Sequence, residues 1–89
     1  MHILINLPKS MFKKEPTSTT ISTTIVSIKN YISAAYGGHT KVDVNYIDTD
    51  KVKVDAATRM VVLTDEKATE SRLKLVEKDL LAMLPSLIP

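Results

Sequence analysis

The chain contains no cysteine and no tryptophan, only two glycines among its 89 residues, and a single phenylalanine. Each scarcity excludes something. Without cysteine there is no disulfide scaffold and no thiolate metal site. The same absence fits a reducing compartment, so a cytoplasmic location is the expectation. Aromatic residues make up 4% of the chain, too few for the stacking pairs that single-stranded nucleic-acid binders carry on their strands. Only two of the twelve basic residues are arginine, which leaves few forked donors for phosphate. No run approaches the roughly 18 apolar residues of a membrane span. The opening "MHILINLPK" has neither the basic lead nor the small-residue cleavage site of a signal peptide.

What is present is ordinary for a folded domain: 44% hydrophobic and 25% charged residues, with a net charge of +2. That length supports one modest core, so residues 1–89 read as a single domain, with 85–89 as a short tail.

The stretch "PTSTTISTTIVSIKNYISAAYGG" (16–38) opens with the composition of a linker and closes with that of a helix. Its apolar spacing decides the matter. Ile21, Ile25, Ile28, Ile32 and Ala35 recur at the period of one helical face, which predicts a helix over 17–36. Thr17 or Ser18 is the expected cap, and Gly37 the expected left-handed stop. The Ser and Thr residues between the isoleucines then form the solvated side. Many are β-branched, so this helix depends on packing more than on propensity.

"HILINL" (2–7) reads as a strand with Ile3, Ile5 and Leu7 on one face, ended by Pro8; Leu4 on the other face suggests a strand inside the sheet or partly covered on both sides. "KVDVNYID" (41–48) and "KVKVD" (51–55) both alternate and are joined by "TD", the pattern of a hairpin. "RMVVLT" (59–64) is a third run, either a further strand or a continuation through a bulge. The final helix is capped by Thr64 or Asp65 in this reading. Leu73, Val76, Leu80, Met83 and Leu87 form its main row, with Pro85 ending regular helix before Leu87. The expected architecture is α+β: a two-layer sandwich of a small, mostly antiparallel sheet with two helices on one face, in the order β-α-β-β-(β)-α.

Catalytic chemistry is thin. His2 and His39 lack the neighbouring ligands that a metal site needs. "DTD" (48–50) lacks the glycine and further carboxylates of a calcium loop and reads as an acidic turn. "YGGHT" (36–40) follows a helix instead of preceding one, so no helix N-terminus is aimed at a phosphate there. No catalytic, cofactor or metal residue is assigned, and the expectation is a protein that is not an enzyme.

Two surfaces remain as binding candidates. Residues 1–41 carry five lysines and one acid, while residues 42–89 carry seven basic and nine acidic residues, so the positive charge is concentrated early. Within "PKSMFKKEP" (8–16), Lys9, Lys13 and Lys14 surround Met11 and Phe12, a cationic rim about an apolar pair that suits a protein partner. The second candidate is the leucine surplus of the last helix. Leu75, Leu81 and Leu84 widen its apolar surface beyond one stripe and, with Leu87 of the tail, suggest a homo-oligomer interface. The function these features fit is a small protein-interaction module, a regulator or inhibitor of a larger protein machine that also self-associates. The alternative is a small nucleic-acid-binding protein using the loop lysines on an RNA or DNA backbone.

Overall fold

Ile3, Ile5 and Leu7 alternate with Leu4 and Asn6 at the period of a pleated strand, and they form β1 (His2–Pro8). In the computed structural model, which describes residues 1–89, these three side chains are completely buried. β1 is the central strand of a three-stranded sheet of order β2-β1-β3. β2 (Lys41–Ile47) pairs with it in parallel, and β3 (Val61–Thr64) pairs antiparallel. The sheet is therefore mixed and not mostly antiparallel. Register places Val42, Val44 and Tyr46 beside Ile3, Ile5 and Leu7, and Val61 and Leu63 beside Ile5 and Ile3. All of these face the helices. Leu4, Asn6, Asp43, Asn45 and Val62 share the opposite, uncovered face.

α1 (Ser18–Tyr36) forms where the isoleucine spacing predicts it. Thr17 caps it, its hydroxyl accepting the Thr20 backbone N–H at 3.1 Å. Ile28 and Ile32 are fully buried, while Ile21 packs at the margin of the core. Two positions depart from the expected stripe. Ala35 is exposed near the helix end, and Thr24, expected on the solvated side, is buried. Its hydroxyl donates to the Thr20 carbonyl at 2.7 Å, so burial leaves no polar group unsatisfied. Gly37 stops the helix with φ +92° and ψ 155°, an extended conformation at positive φ open essentially to glycine alone. The expected left-handed helical cap is thus replaced by a sharper exit into β2.

The expected hairpin between 41–48 and 51–55 does not form. Both sides of β1 are taken, by β2 on one and β3 on the other, and the chain must cross from one to the other at the same end of the sheet. Aspartates bend this crossing. Asp48 accepts the Asp50 N–H on its side chain, and its carbonyl accepts from Lys51 and Val52. Asp55 does the same for Ala57 and Thr58. Val52 is left 58% exposed. Val54 is half-buried and lines a small cavity with Asn6, Pro8, Ile47, Thr58 and Met60.

α2 (Glu70–Leu87) starts later than the sequence suggests, because Thr69 is its cap, accepting the Arg72 N–H at 3.2 Å. Asp65 instead closes a turn onto the Lys67 N–H and lies 3.9 Å from the amino terminus. Pro85 does not end the helix; it lies exposed inside the last turn, where water can satisfy the carbonyl that its missing N–H leaves free. Val76, Leu80, Leu84 and Ile88 are the buried row. They join Ile3, Ile5, Leu7, Phe12, Ile28, Ile32 and Val61 in one core. The protein is an α+β two-layer structure with both helices packed on one face of a small sheet.

Candidate partner-binding surface

The loop between β1 and α1 begins as a single 3-10 turn, Lys9–Met11, in which Phe12 N–H bonds to the Lys9 carbonyl at 3.0 Å. That turn swings Phe12 inward. Its ring is only 8% exposed and meets Tyr46 edge-on, with centroids 6.1 Å apart and planes at 73°. Met11 packs at the margin of the same core. The apolar pair therefore closes the core at the end of β1 and β2.

The three lysines separate. Lys9 pairs with Glu15 at 2.6 Å and with Asp50, and its hydrogen bonds to Asp50 and Glu15 hold its ammonium above the ordinary lysine value. Lys9 thereby ties the loop to the turn after β2. Lys13 and Lys14 are exposed and take part in no ion pair of the chain. The Lys13 N–H donates to the Pro89 carbonyl at 3.3 Å, which fixes the loop to the end of the chain. Phe12, Glu15, Pro16, Thr20 and Pro89, together with both lysines, line a shallow groove of about 380 Å³. Glu15 is engaged by Lys9, which leaves Lys13 and Lys14 as the unpaired charges at the groove's lip.

The leucines of α2 also separate. Leu84 is 1% exposed, a core residue, and Leu87 packs against the core. Leu75 and Leu81 are 68% and 42% exposed. Six residues apart on a helix, they point about 120° away from each other and cannot form one apolar face. The four positions do not come together as an interface.

Four polar contacts had no signal in the sequence. Tyr31 donates to Asp79 at 3.0 Å, and Tyr36 donates to the same carboxylate, bridging α1 and α2. Burial, followed by the Asp79 contact, raises the pKa of both tyrosines. His2 lies 2.7 Å from Asp43 on the uncovered sheet face, and this contact holds the Asp43 carboxyl below its usual range. Arg59 pairs with Glu77 at 2.5 Å, joining the β2–β3 connection to α2. His39 is exposed beyond the two glycines, and the carboxylates of "DTD" bind backbone N–H and Lys9.

The tyrosines give a pH prediction. Tyr46 is also raised by burial, so all three tyrosines of the chain, and Lys9, keep their protons longer folded than unfolded. This stabilisation is complete below about pH 10 and is lost as pH rises through the raised folded values. Phenolate absorbance of the folded protein should show no tyrosine ionising at its ordinary value. In Asp79→Asn, Tyr31 and Tyr36 should ionise earlier while Tyr46 is unchanged. An ordinary titration in the native chain would contradict the bridge.

Fold and surface together define a small α+β protein with a helical layer on one sheet face and a basic loop at the end of its parallel strand pair. Comparison with known proteins finds no matching family model, no matching curated protein and no matching solved structure. No helix is long and apolar enough to cross a membrane.

Proposed function

We propose that the protein is a small interaction module whose β1–α1 loop docks an acidic segment of a protein partner. The observation that carries this reading is the division of labour within the loop. Phe12, Met11 and Lys9 are committed to the fold, whereas Lys13 and Lys14 are presented on an anchored backbone at the lip of a groove. A pair of exposed cations on a loop tied down at Lys13 loses little backbone freedom on binding, and it steers an acidic partner by long-range attraction. Two free cations are a small footprint for a nucleic-acid backbone, where neutralising several phosphates is what gives affinity. The proposed partner is accordingly an acidic protein segment. Self-association is part of the proposal, on a surface other than the leucines of α2.

The test is affinity capture from nuclease-treated extract of the native host, with wild-type and Lys13→Ala/Lys14→Ala chains as paired baits. Both positions are exposed, so circular dichroism of the variant should match the wild type. A partner with an acidic segment should bind the wild type and lose about tenfold or more in affinity for the variant, mainly in on-rate. Equal binding to both baits overturns the docking role. Material recovered only before nuclease treatment moves the protein to the nucleic-acid class.

A further inference from the structure

β2 leaves one edge of the sheet unpaired. The Lys41 N–H donates to the Met1 carbonyl at 3.0 Å, so Lys41, and by alternation Asp43, Asn45 and Ile47, direct their backbone groups at β1. Val42, Val44 and Tyr46 direct theirs outward, away from the sheet. Their side chains lie on the helix face but are only half-buried, in contrast to their completely buried neighbours Ile3, Ile5 and Leu7. Proline and bulges are devices that usually blunt an edge. This strand contains no proline, and it pairs with β1 residue for residue along its length without a bulge.

We infer that this edge pairs with the β2 edge of a second copy, joining two sheets into one continuous sheet about a two-fold axis at Val44. The inference rests on the self-association included in the functional reading and assigns its surface. The sequence of β2 selects the register. Directly opposite residues in an antiparallel pair share a face, so only registers that keep like faces together are allowed. Centred on Val44, the pairing sets Asp43 against Asn45 of the other copy, twice. Val42 then faces Tyr46, a β-branched residue against an aromatic one, also twice, and Lys41 lies over Ile47. Shifting the centre to Asp43 places two carboxylates directly opposite, which is repulsive. Shifting it to Asn45 keeps an apolar pair, Val44 against Tyr46, but sets Asp43 against Ile47 and Val42 against Asp48, so that carboxylates face apolar side chains. Only the Val44 register satisfies charge and apolar matching together, which is the self-complementarity a two-fold interface requires. The axis closes the assembly at two copies on this edge, and the opposite edge of the sheet is the four-residue β3.

The experiment is sedimentation of the purified full chain over a wide concentration range, with three variants. The wild type should dimerise. Asn45→Asp sets a second carboxylate opposite Asp43, twice across the axis, and should raise the dissociation constant by about tenfold. Asp43→Asn/Asn45→Asp restores one carboxylate against one amide in each pair and should recover the wild-type dimer. Val44→Pro removes an outward N–H and should leave monomers. A monomeric wild type overturns both the inference and the self-association it rests on. A dimer that ignores Asn45→Asp and Val44→Pro overturns the β2 interface alone, leaving self-association on another surface. If Val44→Pro does not fold, the exposed charge variants still decide, because rescue by the double substitution is specific to this register.

Discussion

Phe12→Ala should lower the unfolding free energy by about 3 kcal/mol, which for a chain of this size is on the order of 15–20 °C in Tm. The expectation follows from where the 3-10 turn puts the ring. At 8% exposure, Phe12 loses most of its water-accessible surface on folding, and truncation leaves a cavity between the ends of β1, β2 and α2. The edge-on contact with Tyr46 adds roughly 0.5–1.5 kcal/mol that alanine cannot replace. Chemical denaturation of wild type and variant measures the difference. A loss below about 1 kcal/mol would mean that Phe12 is not a core residue, and it would return the ring to the binding surface.

Leu84→Ala should cost about 3 kcal/mol as well, while Leu75→Ala and Leu81→Ala each cost less than about 1. The contrast comes from one helix. Leu84 belongs to the buried row with Val76, Leu80 and Ile88, whereas Leu75 lies on the far side of α2 and Leu81 on its flank. Neither exposed leucine should change the oligomeric state when replaced by a charged residue. Three denaturation curves and two sedimentation runs separate core from surface. Equal costs at all three positions would contradict the orientation of α2.

Much of this fold was legible in the chain. The isoleucine spacing gave the extent of α1 to within a residue, and the Ile3, Ile5, Leu7 alternation identified β1 as a strand. Both signals are local, because each records which face of one element meets the core. Pairing is not local, and there the reading failed. Residues 51–55 alternate as well as residues 41–48 do, yet alternation cannot say which strand edge is available. Once β1 accepts β2 in parallel and β3 antiparallel, the intervening chain is a crossing held by Asp48 and Asp55. The late start of α2 has the same origin. Asp65 is as good a cap as Thr69 in isolation, but its carboxylate is turned toward Lys67 N–H and the amino terminus.

The proposed binding surface was half legible. Charge concentration pointed to the loop, but sequence could not show that Lys9 is neutralised by two carboxylates, one of them across 41 residues. Nor could it show that Phe12 turns inward, since one phenylalanine in a loop carries no periodicity. The contribution of Pro89 to the groove, through the bond that its carbonyl accepts from Lys13, depends on tertiary closure alone.

The docking role of Lys13 and Lys14 is tested most directly by amide-resolved NMR titration of the full chain. The probes are a peptide rich in Asp and Glu and a single-stranded oligonucleotide of equal charge. The expected result is saturable shifts from the acidic peptide confined to Lys13, Lys14, Thr20 and Ile88, abolished in Lys13→Ala/Lys14→Ala, with weaker and more diffuse shifts from the oligonucleotide. Peptide shifts centred away from this groove, or tighter saturable binding of the oligonucleotide at Lys13 and Lys14, would contradict it.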